Sequence, residues 1–315
     1  MPERVYLVTG GAGFIGSHLC ERLVHDGHRV RVLDDFSSGK EANLESFANG
    51  IDLIRGDIRD NALVTRATEG VDVVFHEAAL GSVPRSVADP RTTHEVNITG
   101  TLNVFLAARD AGVKRVVYAS SSSVYGETPE LPKHEDMIPQ PLSPYALSKI
   151  AGEHYAAVFK HVYGFEIVAL RYFNIFGPRQ DPQSQYAAVI PRFITALLSG
   201  QPPVVYGDGG QSRDFTYVDN VVEANLLAAE AEDVAGQAFN IACGGRYSLL
   251  ELLSRLKQII GSEMNPVHEP ARAGDVRDSQ ASIDAAERLL GYRVSVDFED
   301  GLQRTVEWFR AQSTR

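Results

Sequence analysis

Six short apolar runs, separated by segments of helical period, constrain this chain more than any other feature. They are "VYLVTG" from Val5, "RVRVLD" from Arg29, "IDLIRGD" from Ile51, "VDVVFHEAA" from Val71, "RVVYAS" from Arg115 and "EIVALRYF" from Glu166. The intervening "SHLCERLVHDG" and "GTLNVFLAARDAG" carry helical periodicity. Continuous apolar strands alternating with helices indicate a parallel sheet buried on both faces. Right-handed crossovers then wind the helices onto both sides. The expected fold class is α/β, a doubly wound parallel sheet with a smaller C-terminal α/β cap. The alternation fades after about Gly177. Residues 1–177 are therefore expected to hold the core of the sheet domain. Residues 178–315 should form mainly the cap, with some segments returning to the sheet. This second part is punctuated by "FGPRQDPQ", "SGQPPVVYGDGGQS" and "NPVHEPARAGD", and keeps helical stretches at "NVVEANLLAAEAE", "SLLELLSRLKQII" and "DAAERLLG". No clean linker separates the parts, so a shared cleft is expected.

Bulk properties exclude several classes. Apolar residues at 44% and charged residues at 23% of 315 residues are ordinary for a globular chain. No apolar run approaches the roughly 18 residues of a membrane span. The start runs directly into "RVYLVTGGAG", without a signal-peptide pattern. A cytoplasmic protein with no membrane association is expected. Cys20 and Cys243 are far apart and form no metal spacing, so no metal is expected. A net charge of −11 argues against a nucleic-acid surface. An anionic ligand would need its own local arginines.

"VTGGAGFIGSHL" follows the first strand at once and opens a helix. Gly10, Gly13 and Gly16 permit a tight turn and let a pyrophosphate approach the backbone. The following helix, starting near Phe14 and Ile15, offers free N–H groups and partial positive charge. This is the dinucleotide-binding pattern of a Rossmann domain. Asp34 ends the second strand, about 20 residues on, where an acid accepts from the adenosine ribose. It repels a 2′-phosphate, so NAD is favoured over NADP. Asp35 doubles the acid, and one of the two is free to cap the next segment. Asp57 and Ile58 follow the third strand. A carboxylate there suits the adenine amino group, although a plain loop aspartate is nearly as good a reading.

"SPYALSK" places Tyr145 one helical turn before Lys149. On its own that pair is an ordinary helix face. Here it follows the fifth strand, whose end carries Ser120, Ser121, Ser122 and Ser123. Ligands of doubly wound sheets sit outside the carboxyl ends of the strands. A phenol, a hydroxyl and a bound nicotinamide would suit hydride transfer from an alcohol carbon. A free phenol titrates near 10, too high for a general base at neutral pH. A neighbouring Lys149 ammonium and the cationic nicotinamide ring would both favour the phenolate.

With these motifs in view, the chain resembles the extended short-chain dehydrogenase/reductase family, and within it the nucleotide-sugar 4-epimerases. The resemblance runs through "TGGAGFIGSHL", "HEAA", "VNITGT", "SSSSVYGE", "SPYALSKIAGE", "LRYFNIFGPRQ", "SRDFTYVDNV" and "RAGDVRDSQA". It implies a retained NAD, Tyr145 as the base at the sugar C4 hydroxyl, Ser121 as the catalytic hydroxyl, and Lys149 beside them. Ser122 and Ser123 would lie beside the sugar. Ala78, Ala79, Asn97 and Tyr172 match cofactor-side positions. Asn174 and Arg213 match diphosphate contacts, Arg272 and Asp275 the diphosphate and uridine ribose side, and Tyr206 a platform for uracil. The family usually pairs two helices with their copies, so a homodimer is expected. The helices around "HEVNITGTLNVFLAARDAG" and "SPYALSKIAGEHYAAVFKHVYG" carry more apolar residues than one face requires, which suits either such a contact or burial under the cap.

"AALGSVPRSVADP" and "YAAVIP" resemble the branch acting on UDP-N-acetylhexosamines, which brings Ser82 and Val189 into the substrate set. Ser279 stands where hexose-restricted relatives carry a bulkier residue, leaving room for a 2-acetamido group. The expected reaction is inversion at C4 of UDP-GlcNAc/UDP-GalNAc, with UDP-Glc/UDP-Gal as further candidates. Related 4,6-dehydratases need an Asp-Glu pair where this chain has Ser122 and Ser123. UDP-glucuronic acid 4-epimerases share "SSSSVYG" but often replace the position of Asn174 by threonine. That activity, and an NAD(P)-dependent nucleotide-sugar reductase, remain the alternatives.

Overall fold

The computed structural model describes residues 3–182, 188–271 and 277–313. The six expected strands form as β1 (Val5–Thr9), β2 (Arg29–Asp34), β3 (Ile51–Arg55), β4 (Val73–His76), β5 (Arg115–Ser121) and β6 (Ile167–Tyr172). The fourth is shorter than its apolar run: pairing stops at His76, and Glu77 begins the loop above the sheet. A seventh strand, Ala238–Ile241, comes from the C-terminal half and pairs with β6. The order is Ala238–Ile241, β6, β5, β4, β1, β2, β3, with every pair parallel. The chain reverses direction across the sheet between β1 and β4, and a crevice opens at such a point.

Side chains alternate across each strand, so each face builds its own core. Val8, Leu19, Leu23, Val32, Phe75 and Leu170 belong to one buried cluster. Leu7, Val74, Val104, Phe105, Tyr118 and Phe159 belong to the other. The cap has a separate core around Phe176, Phe193, Phe215, Leu252, Phe298 and Leu302. Phe14, on the first helix, packs against that third cluster and so joins the glycine loop to the cap. No described helix is long and apolar enough to cross a membrane.

The helix Pro144–Tyr163 explains its own boundaries. Ser143 Oγ accepts from the Ala146 N–H at 3.1 Å, Pro144 fills the first turn, and Gly164 ends the helix at φ 66°. Gly152 sits mid-helix, where glycine costs about 1 kcal/mol against alanine. A Cβ there would lie 2.4 Å from the Tyr118 ring. The missing side chain lets this helix press onto β5, and Lys149 Nζ then reaches Ala119 O at 2.7 Å.

A buried polar network ties helix, sheet and cap together. Arg171 on β6 grips Glu153 on the helix through Nη2 at 2.7 Å and Nε at 3.0 and 3.2 Å. Ser120 donates to the same carboxylate. Arg171 Nη1 donates to Tyr125 Oη at 2.8 Å, and Tyr125 donates to Asn240 Oδ1 at 2.6 Å. Asn240 in turn donates to the carbonyls of Lys133 and Ser282 at 3.0 and 3.2 Å. Removing one partner of a buried ion pair typically costs about 3–5 kcal/mol. Arg171→Met should lower unfolding stability in urea by that amount. The Glu153→Met/Arg171→Met double variant should recover part of the loss, because no unpaired charge is left.

Candidate active site

The glycine loop is a cradle that side chains would fill. Gly10 adopts φ 70°, and a Cβ there would lie 2.7 Å from the Ala78 backbone nitrogen. A Cβ on Gly16 would meet Gly10 O at 2.2 Å. Gly13 begins the helix Phe14–His25 without a side-chain cap, and no acid occupies its first turn. Its first N–H groups lack helical partners and favour an anion. Above them opens a cavity of about 490 Å³. Gly10, Gly13, Phe14, Ile15, Gly16, Asp34, Asp35, Asp57, Ile58, Ala78, Ala79 and Ser82 all line it, as expected from the sequence. The residues present therefore fit a dinucleotide.

Several side chains already have structural tasks. Asp34 accepts from the Ala12 N–H at 2.9 Å and the Phe36 N–H at 2.8 Å, so it clamps the glycine loop. Burial nonetheless pushes its carboxyl above the usual range. Asp35 accepts from the N–H and hydroxyl of Ser37 at 2.9 and 2.6 Å. Asp57 binds Arg59, whose guanidinium holds the carboxyl low. Ser82 Oγ caps the helix Val83–Ala88 by accepting from Arg85 N–H at 3.2 Å. Asp181 reaches the cavity from the segment after Phe176 and pairs with Lys40 at 3.2 Å.

Asn97 does not line this cavity, and neither does Tyr172. Asn97 acts on it through Leu80. Its carbonyl accepts from Leu80 N–H at 2.8 Å, and its amide donates to Leu80 O at 3.2 Å and Ser148 Oγ at 3.1 Å. It sits in a π-helical turn, Glu95–Gly100, a distortion common at functional sites. Tyr172 donates to Glu77 Oε1 at 2.8 Å.

Tyr145, Lys149 and Ser121 form a second group. Ser121 ends β5, and its hydroxyl interaction with Tyr145 favours the phenolate. Burial is the larger influence and pushes the phenol above its ordinary value. The cations expected to favour the phenolate are Lys149 and the nicotinamide ring; of this chain's own side chains, Ser121 is the one that lowers the phenol. Lys149 Nζ lies 5.9 Å from the Tyr145 ring centre, and burial lowers its own pKa to about 8. Ser123 Oγ donates to Ser121 Oγ at 3.0 Å, and Ser122 shares its short 3₁₀ turn. Ser120 is withdrawn into the Glu153 network. None of these residues lines the described cavity. Glu77, which does line it, raises the proton affinity of both Tyr145 and Lys149.

The remaining expected residues lie in or beside the cap. Asn174 adopts φ 40° and donates to Asp214 O at 3.1 Å. Arg213 donates to the carbonyls of Ser212 and Arg277 at 2.8 and 3.2 Å. Ser279 N–H donates to Ser212 O at 3.1 Å. Tyr206 lies under the Arg192 guanidinium at 5.2 Å, and Val189 begins the helix Val189–Leu198. Arg272 and Asp275 lie outside the described residues. Asp214, unremarked in the sequence, holds the Asn174 side chain through its backbone carbonyl. Its carboxyl accepts from the N–H groups of Cys243 and Ala281 at 3.1 Å, and burial pushes it up to about 7. Glu77 was also missed, although "HEAA" contained it. An acid after a buried strand was the available signal.

A doubly wound sheet, a glycine cradle and an adjoining Tyr-Lys-Ser group define an NAD-dependent enzyme. Residues 6–242 match the model of the NAD dependent epimerase/dehydratase family. A protein of Mycolicibacterium smegmatis named UDP-glucose 4-epimerase is 42% identical over 98% of this chain and 99% of its own. The solved UDP-N-acetylglucosamine 4-epimerase of Methanobrevibacter ruminantium, in complex with UDP-N-acetylmuramic acid, superposes with a TM-score of 0.95. It is 41% identical, and the match covers 99% of this chain and 100% of that one. A UDP-glucuronic acid 4-epimerase of Bacillus cereus, solved with NAD, is 32% identical with a TM-score of 0.91, over 98% and 99% of the two chains. The chain belongs to the NAD dependent epimerase/dehydratase family. It is an isomerase with NAD as its cofactor.

Gly10→Ala tests the cradle. The substituted residue would hold a left-handed conformation and clash with the Ala78 backbone, strain worth about 1–3 kcal/mol. The purified variant should retain much less NAD than the wild type, measured as nucleotide released on denaturation.

Proposed function

We propose that this protein inverts C4 of a UDP-hexose, with UDP-GlcNAc/UDP-GalNAc as the preferred pair and UDP-Glc/UDP-Gal tolerated. The observation that carries the reading is the placing of Tyr145 and Lys149 on one helix face, the ammonium 5.9 Å from the phenol ring, beside the strand end that holds Ser121, with Glu77 acting on both and lining the dinucleotide cavity. Bound NAD supplies a hydride acceptor that later returns the hydride. Tyr145 takes the C4 hydroxyl proton and gives it back after the 4-keto sugar presents its other face. Ser121 hydrogen-bonds the phenol oxygen and the sugar oxygen. Lys149, held by Ala119 O, carries positive charge beside them. Asp34 and Asp35 repel a 2′-phosphate, which disfavours an NADP-dependent reductase. The diphosphate falls to Asn174, Arg213 and Arg272, the uridine to Tyr206 and Asp275, and the sugar to Ser122, Ser123, Val189 and Ser82.

The N-acetyl preference rests on the small side chain of Ser279. Asn174, with its uncharged amide, favours a neutral sugar over a uronic acid. Both sugar classes occur among the similar proteins above, so the substrate panel decides between them. It should contain UDP-hexoses, UDP-N-acetylhexosamines and UDP-glucuronic acid, analysed for C4 epimers without added NAD. Ser279→Tyr should abolish N-acetylhexosamine turnover and spare the plain hexose; intact N-acetyl turnover refutes the volume argument. Tyr145→Phe should lower kcat by about 10²–10⁴ while UDP-sugar affinity changes little. A variant with wild-type kcat would remove Tyr145 from the chemistry.

The same reading includes a cytoplasmic homodimer. Free Cys20 and Cys243 suit a reducing compartment. Leu147, Val158, Val162 and Tyr163 stand 49–59% exposed along the helix Pro144–Tyr163. Such an apolar stripe fits a second copy of itself. Val158→Asp/Val162→Asp should shift the sedimenting species from dimer to monomer.

A further inference from the structure

Glu77 is the residue shared by the dinucleotide cavity and the Tyr145–Lys149 group. It directly follows β4, and its N–H donates to Thr9 O at 3.1 Å. Its Oε1 accepts from Tyr172 at 2.8 Å, and Tyr172 accepts from Asn225 Nδ2 at 2.8 Å. Asn225 is fully buried on the helix Val218–Glu230 and also donates to Val221 O at 2.9 Å. A two-step chain therefore aims the carboxyl. Among the described residues no salt bridge neutralises it, and Tyr172 supplies the side-chain hydrogen bond it receives. Lys149 is the cation that influences it, without direct contact, and burial pushes the carboxyl up to about 7. Tyr172 on β6 touches it, and its charge is felt by Tyr145 and Lys149 on one helix and by Cys20 on the helix Phe14–His25. Burial pushes the Cys20 and Tyr172 side chains toward their neutral forms.

A carboxylate kept in a cavity without a paired cation is expensive to maintain. The expense is recovered if a ligand brings the missing positive charge. We propose that Glu77 is the counter-charge for the oxidised nicotinamide, and that it makes this protein bind NAD in preference to NADH. The cationic ring gains from the carboxylate, and the neutral reduced ring does not. Glu77 acts here on the cofactor's charge rather than on the sugar.

A consequence for turnover rests on the 4-epimerase reading. When hydride leaves C4, the sugar C–H bond breaks, a C–H bond forms on the nicotinamide, and Tyr145 holds the hydroxyl proton. The sugar is oxidised and the cofactor reduced. A carboxylate favouring the cationic ring biases the hydride back to the sugar. It thereby limits enzyme stranded with reduced cofactor when the keto sugar escapes.

The test is a binding ratio. Cofactor-stripped wild type, Glu77→Gln and Glu77→Asp are each titrated with NAD and with NADH. Glu77→Gln should reduce the preference for NAD roughly tenfold, mainly through weaker NAD binding. Glu77→Asp, which keeps the charge, should restore most of it. An unchanged ratio in a folded Glu77→Gln overturns the proposal. Should that variant not fold, Tyr172→Phe replaces it. Loss of the hydroxyl that favours the ionised carboxyl should lower the preference several-fold, and an unchanged ratio is again fatal. In a second arm, Glu77→Gln turning over UDP-sugar should accumulate the near-ultraviolet absorbance of reduced nicotinamide faster than wild type. A wild type without epimerase activity would sink the functional reading, while the titrations would still decide the role of Glu77.

Discussion

The buried Arg171–Glu153 pair holds the site in place. Both side chains are more than nine-tenths buried, so neither charge is shared with solvent. Such a pair contributes little net stability, because desolvation consumes most of the Coulombic gain. Its value here is positional. Glu153 lies one helical turn beyond Lys149, and it also receives Ser120, the neighbour of Ser121. Arg171 is the β6 partner of Ser120 in the sheet and the residue before Tyr172. Through Tyr125 and Asn240 the same network reaches Lys133 and Ser282, next to the cap segment that holds Ser279. One ion pair thus registers the phenol helix, the serine strand and the cap against each other.

That rigidity serves a group whose environment opposes its use. Burial favours neutral Tyr145, and a Glu77 carboxylate adds to the effect. Ser121 works in the other direction but is the smaller influence. Lys149 also loses basicity through burial, while Glu77 and Glu153 keep it partly charged. In the resting protein, therefore, the phenol retains its proton. A cationic ring bound near Glu77 would offset that carboxylate and favour the phenolate at once. Base strength is then available when the oxidised cofactor is present, the only state in which hydride can leave a sugar.

The fold was largely legible because its signals are local. Each β1–β6 run is rich in apolar and β-branched residues, and glycine cradle and phenol helix announce themselves by spacing. The seventh strand was hidden because "AFNI" is four residues long and lies after the alternation has faded. The roles of Asn97 and Tyr172 were hidden for another reason. Motif matching puts them near the cofactor, but only three-dimensional contacts show that they work through Leu80 and Glu77. Asp214 was illegible as well, since its partners come from positions 243 and 281, each too distant in sequence to suggest a shared carboxylate. The hydrogen-bond partner of Lys149 was illegible too. Spacing of four residues sets it on one face with Tyr145, 5.9 Å from that ring, but its hydrogen bond goes to Ala119 O on the neighbouring strand.

The turn Ser122–Tyr125 limits what can happen to an oxidised sugar. A 4-keto group acidifies the adjacent carbon, so elimination of a neighbouring hydroxyl becomes available to any site with a suitable base and acid. The first two residues of that turn are serines, and the Ser123 hydroxyl is engaged with Ser121. A neutral hydroxyl neither accepts a carbon-bound proton efficiently nor protonates a leaving water. Glu77, the carboxyl that acts on Tyr145, accepts from Tyr172 and lies on the cofactor side. The keto sugar thus has no good exit by elimination, and return of the hydride is its easiest path. On the proposed mechanism, inversion needs only that the keto sugar turn before the hydride returns, and the neighbouring serines offer it no competing elimination.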